Sequence, residues 1–259
     1  MRTRLSRFFV QLLPPVVALI AVALMWQFAA DRTQQVIPRI GAIASALSSN
    51  KYLLWRDGLR TLQEAVVGLS AGFAVAFSTA IAMTQVRLLE RALMPLAVIL
   101  NVTPLVAIAP GLGIAFGFGY APKYILTGVI VFFPFLVNSS LGLRSVDRET
   151  LDVFSSLNAS RLEVLFRLRL PSSLPFLFSA ARVCFPLSIV GAVVAEFTAS
   201  GASVGLGNIV ANAAAYGELG LEFASIFCLA LLGIVFTALI ALAERRLLRW
   251  HSSARAQLV

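Results

Sequence analysis

Long apolar runs alternate with short polar breaks along the whole chain. The runs cover residues 8–30, 59–83, 124–143, 174–199 and 223–243, with a further run from about 92 that is broken by Pro95, Pro104 and Pro110. A spanning helix needs roughly 20 apolar residues, so six spans are predicted. The prolines are followed by a glycine-rich stretch over 111–119, which predicts a broken or kinked third span. Residues 31–58 are mixed and polar, and predict an external segment with a short interfacial helix over 40–47. Ala121, Pro122 and Lys123 predict a short outer turn, and 201–222 a second outer segment.

The longest polar interruption, residues 152–171, has its own pattern. Asp147 is a good N-cap with Glu149 and Asp152 in the following turns, and Val153, Phe154 and Leu157 give that helix an apolar side. Asn158 suits the left-handed conformation that ends helices. Ser160 and Glu163 form an S-x-x-E capping box for a second helix, with Leu162, Leu165 and Phe166 apolar and Arg161, Arg167 and Arg169 basic. Pro171 disfavours helical geometry at Leu170. The prediction is helix, sharp turn, short helix, stop.

Composition agrees with the pattern: 59% of residues are hydrophobic and 13% charged, which places the chain among integral membrane proteins. The basic start at Arg2, Arg4 and Arg7 resembles that of a signal peptide, but the run behind it is long enough to span and is expected to be retained. The net charge of +9 does not indicate nucleic acid, because most of the 21 basic residues flank apolar runs on one side. That bias places both termini and the central loop in the cytoplasm. Cys184 and Cys228 lie in apolar runs without metal-ligand spacing and predict no disulfide framework.

Within the spans, ionisable and amide side chains are the candidates for function, because each is costly there. Glu196 toward the outer end of the fifth span, with Asn101, Thr103 and Asn138, is a candidate for the pathway or its gate. A structural role in joining helices competes with that assignment for all four. Arg182 is expected to be structural, its long side chain reaching for the inner interface. Gly68 and Gly72 form a G-x-x-x-G pair, a weak signal for close helix approach. No G-x-x-x-x-G-K-[ST] phosphate loop occurs, and His251 is the single histidine, so neither a nucleotide site nor a histidine-based catalytic set is predicted. The alternative that needs no partner ATPase is an ion-coupled secondary transporter using Glu64 and Glu196, although no internal repeat is found.

The polar interruption resembles the cytoplasmic loop motif of permease subunits in bacterial ABC importers. In that motif Glu-Ala-Ala is followed by three residues, Gly, nine residues, an aliphatic residue, one further residue and Leu-Pro. Here Asp152 stands at the Glu, Asn158 at the Gly, Leu168 at the aliphatic position and Leu170-Pro171 at the end, while Val153 and Phe154 replace the alanines. The likeness extends from residue 64 to 243 and is similar to the branch serving nitrate, sulfonates, taurine and thiamine-related pyrimidines. It is carried by TPLVAIAP (103–110), FFPFLVNSSLGLRSVD (132–147), NASR (158–161), LPSSLPFLFSAAR (170–182), VVAEF (193–197) and ERRLLRW (244–250). One departure is Glu64, where the branch usually carries an arginine after Thr-Leu-x.

The resemblance implies an all-α membrane protein with the type I ABC importer permease fold, a single permease domain over 1–259 and a cytoplasmic coupling loop at about 144–173. It implies a bacterial inner-membrane transport subunit that binds no cofactor of its own. ATP and Mg would be held by two cytosolic ATPase subunits, an external binding protein would deliver solute, and a second copy would complete the pathway. Asn158, Ala159, Ser160 and Arg161 are the expected ATPase contacts, supported by Asp152 and Leu162. Small oxyanions or organosulfur compounds are the first expected solutes, aromatic heterocycles the second.

Overall fold

A computed structural model describes residues 2–33, 36–117, 119–198 and 204–247, with side chains from Leu13 onward. Those residues form helices throughout: α1 Arg2–Arg32, α2 Ile40–Ser49, α3 Lys51–Gln85, α4 Arg87–Val102, α5 Leu105–Phe116 and α6 Tyr120–Leu143. They continue with α7 Arg148–Ser156, α8 Arg161–Val164, a π-helical turn Leu165–Arg169, α9 Leu170–Thr198, α10 Leu206–Tyr216 and α11 Leu219–Leu247. By length and composition, five of the described helices suffice to cross a membrane, or six if the bent pair α4–α5 is one span. Residues 199–203 of the expected outer segment, the basic end at 248–250 and His251 lie outside the described residues.

The chain divides into two compact units, Met1–Trp55 with Ile209–Phe227, and Arg56–Asn208 with Cys228–Val259. In the first unit, Trp26 donates from its indole nitrogen to the Pro38 carbonyl at 3.0 Å and meets the Phe223 ring edge-on. Gly220 packs against the Ala42 backbone, where a Cβ would come within 3.1 Å of the carbonyl oxygen.

In the second unit, α6 and α9 make the most extensive helix pairing. Lipid is as apolar as leucine, so helices in a bilayer are held by close packing more than by burial from water. Small residues serve that end: Ala76, Ala80, Ala180 and Cys184 are buried around Val131, Phe135, Leu136 and Leu143. The G-x-x-x-G pair is used in the same way, since a Cβ on Gly72 would lie 2.5 Å from the Gly128 carbonyl oxygen of α6.

Several boundaries differ from those expected. α3 begins at Lys51, so the charged stretch before residue 59 is helical; Asp57 turns inward and pairs with Arg56 at 2.7 Å. Lys123 lies in the first turn of α6 and is buried, because an acid on α3 meets it. The expected outer segment 201–222 carries α10.

The break expected in the third apolar run is present, as a bend of 97° between α4 and α5. Thr103 sits at the break and donates its hydroxyl to the Ile99 carbonyl at 2.7 Å, while Pro104 supplies no N–H to continue the ladder. The expected stop at Pro171 does not occur. Leu165–Arg169 adopts a π-helical turn in which Leu170 donates to the Leu165 carbonyl, and α9 runs on through Pro171. The wider turn accommodates a residue that has no N–H and would crowd the carbonyl four positions back in an α-helix.

Candidate functional site: the polar hairpin and the buried charge cluster

The hairpin is built by local signals. Asp147 accepts the Thr150 amide at 2.7 Å and opens α7; the Thr150 side chain and amide hold its carboxyl below the usual aspartate range. At the other end Ala159 donates to the Phe154 carbonyl and Asn158 to the Ser155 carbonyl, each at 3.0 Å. This is a Schellman motif, and Asn158 fills its left-handed position with φ +53°. Two residues later the capping box closes: Ser160 Oγ accepts the Glu163 amide at 3.2 Å, and Glu163 Oε2 accepts the Ser160 amide at 2.9 Å. The turn is therefore fixed from both sides.

Its surface is unusual for a polar segment. Val153, Leu157, Leu162 and Phe166 are 57, 74, 64 and 64% exposed. Val153 and Leu157, like Leu162 and Phe166, are four residues apart and share a helix side. Asp152, Asn158, Ser160 and Arg161 are exposed beside them, Ala159 is half-buried, and Arg167 is exposed and pairs loosely with Glu163 at 3.9 Å. At the base, Arg144 hydrogen-bonds Glu90 and reaches the Met83 carbonyl, joining α3 and α4 to the end of α6.

At the opposite end of α9 lies a buried charge cluster. Lys123 Nζ donates to Glu64 Oε1 at 2.7 Å and to the Val204 carbonyl at 3.5 Å. Glu196 Oε1 accepts the Thr61 hydroxyl at 2.7 Å, and its Oε2 accepts the Gly207 amide. Thr61 Oγ1 in turn accepts the Leu206 amide at 2.9 Å. Gly207 has to be glycine in this packing, because a Cβ would sit 2.6 Å from Glu196 Oε2 and 3.0 Å from the Val193 carbonyl oxygen.

Of the expected pathway residues, Glu196 thus enters a network with Glu64, while the others stand apart from it. Asn101 is exposed on α4, Thr103 is half-buried at the bend, and half-buried Asn138 returns its amide to the Pro134 carbonyl at 2.8 Å. Arg182 pairs with Glu244 at 2.6 Å, joining α9 to α11. The sequence pattern alone does not single out Lys123, Thr61 and Gly207 for this site. A lysine beside a long apolar run was the one available signal.

Comparison with known proteins agrees with this architecture. Residues 68–249 match the model of the family described as "Binding-protein-dependent transport system inner membrane component". The riboflavin transport system permease protein RibX of Chloroflexus aurantiacus is 34% identical over 213 residues, covering 82% of this chain and 78% of that protein. The formylaminopyrimidine transport permease protein ThiX of Halalkalibacterium halodurans is 30% identical over 244 residues, covering 93% and 97%. In fold, the chain superposes on a chain of the inward-facing MetNI methionine ABC transporter with a TM-score of 0.64 at 19% identity, covering 78% of this chain and 97% of that one. The matches do not favour an ion-coupled secondary transporter. The chain belongs to the binding-protein-dependent inner-membrane component family, and is a multi-pass membrane permease subunit of the ABC importer class.

Proposed function

We propose that the hairpin formed by α7 and α8 docks a cytosolic ABC ATPase, and that two copies of the chain form the pathway. The observation that carries this is the uncovered apolar surface of Val153, Leu157, Leu162 and Phe166, displayed by a turn capped on both sides. Burying each such side chain contributes about 1.5–3 kcal/mol, enough in sum for a stable contact after ordering costs. Asn158, Ala159, Ser160 and Arg161 lie at the turn as the nearest contacts, with Asp152 and Leu162 flanking. The excess of arginine at this end favours the cytoplasmic side, with both termini there too. ATP and Mg are then bound by the ATPase, and solute is delivered by a binding protein on the other face. The bend carrying Asn101 and Thr103, with Asn138, lines the pathway, and Glu196 helps to fasten its far end.

The solute we infer is a planar heterocycle of the flavin or aminopyrimidine kind, which the names of two relatives suggest.

The test is co-purification of the ATPase from membranes. Wild type retains it. Leu162→Ser with Val153→Ser loses most of it while inserting normally, and Ser160→Glu does the same by altering the turn. Full retention by the double serine variant would overturn the docking assignment.

A further inference from the structure

Glu64, Lys123 and Glu196 come from α3, α6 and α9, and their exposures are 1, 3 and 1%. Two carboxyl groups therefore face one ammonium in a packed helical interior. With all three ionised, one negative charge would be left without a counter-charge where charge is most costly. The donors present do not resolve this. Glu196 has the Thr61 hydroxyl and the Gly207 amide, and Glu64 Oε1 has Lys123, but Glu64 Oε2 is buried with no donor facing it. Thr61, which binds Glu196, and Glu64 are three residues apart on one side of α3, so the two carboxyls are neighbours, an arrangement that two ionised groups would resist.

One proton satisfies all of these conditions together. Placed on Glu64, it makes the orphaned oxygen a donor to Glu196, removes the repulsion and leaves Glu196 as the single anion opposite Lys123. We propose that Glu64 and Glu196 share one proton, making the triad a proton-binding site that fastens α3, α6 and α9 to the Leu206–Gly207 turn.

Among the described residues, the other charged groups near the cluster are accounted for. On α3, Asp57 pairs with Arg56, and exposed Arg60 donates to Gln63. On α6, Tyr120 lies 5.9 Å from Lys123 Nζ by its ring centre, and Tyr124 follows one turn later. On α9, Arg182 lies fourteen residues before Glu196 and is paired with Glu244, and the sequence from 197 to 207 carries no ionisable side chain.

The consequence has a definite sign. The folded protein holds a proton here that an unfolded chain releases at neutral pH, so this contribution to stability is full only below the ordinary glutamate range and falls as pH rises through neutral into alkali. Alkali removes the bridge, sets two carboxylates face to face and loosens the turn.

The experiment uses the full chain purified in lipid nanodiscs, read by infrared absorption and by thermal unfolding at neutral and alkaline pH. Wild type is expected to show a protonated carboxylic C=O band at neutral pH and to lose thermal stability in alkali. Glu64→Gln abolishes the band because it replaces the neutral acid with a neutral amide. Glu196→Gln abolishes it as well, because the remaining Glu64 ionises against Lys123. Both variants lose the part of the alkaline destabilisation that this site causes. Absence of the band from wild type, its persistence in either variant, or an unchanged alkaline loss in Glu64→Gln would each overturn the proposal.

Discussion

The hairpin and the charge cluster are both polar interruptions of an apolar chain, and they are built in opposite ways. The hairpin satisfies its polar groups locally, through caps spanning a few residues, and leaves its apolar side chains uncovered. The cluster hides its charges and satisfies them across the fold, through bonds between residues 59, 135 and 145 positions apart. A surface that is locally rigid but apolar suits an exchangeable partner. An interior that is charged but matched suits a fixed junction between helices. The same kind of substitution should therefore have different outcomes at the two places.

The largest effect is expected from Lys123→Met, which leaves two carboxyl groups without their cation. Loss of one member of a buried pair costs about 3–5 kcal/mol, read as a lowered unfolding temperature and reduced yield from membranes. Adding Glu64→Gln should recover part of that loss. In the hairpin the matching change, Arg161→Met, should alter stability by no more than about 1 kcal/mol, because an exposed charge contributes little. Equal losses at the two positions would erase the contrast.

A smaller effect follows from Gly207→Ala. The added methyl group meets both Glu196 Oε2 and the Val193 carbonyl, and overpacking of this kind costs about 1–3 kcal/mol. A thermal unfolding curve that matches wild type would show that the turn has slack.

A more local effect belongs to the turn itself. At φ +53°, alanine in place of Asn158 should cost about 1–2 kcal/mol locally, while glycine should be tolerated. Hydrogen exchange over residues 148–164 of the intact protein should rise in Asn158→Ala and stay near wild type in Asn158→Gly. Equal protection in both variants would show that something other than the left-handed turn holds the hairpin.

How much of this was legible in the sequence follows from the same contrast. Asp147, Asn158, Ser160 and Glu163 announce the hairpin because each cap acts within a few residues of itself. The α4–α5 break was legible for the same reason, from Pro104 and its neighbours. The cluster was not. Glu64 and Glu196 stood out as intramembrane acids, but nothing near them in the chain named Lys123 as their partner, and a lysine beside Pro122 reads as a turn until its acid is located. Pro171 misled because the preproline rule is a preference: Leu170 keeps helical angles (φ −63°, ψ −50°) all the same, and the π-helical turn ahead of it carries the chain into α9. Lys51 to Arg60 misled because a helix with an exposed face carries charge as readily as a loop does.

The measurement that bears most directly on the account is ATP-dependent uptake by proteoliposomes holding the chain, its ATPase and its binding protein. The account predicts uptake of a labelled flavin or aminopyrimidine that requires ATP and falls to background in Leu162→Ser with Val153→Ser, while labelled taurine is not carried. Uptake that persists without ATP, or that survives the hairpin substitutions unchanged, would contradict it.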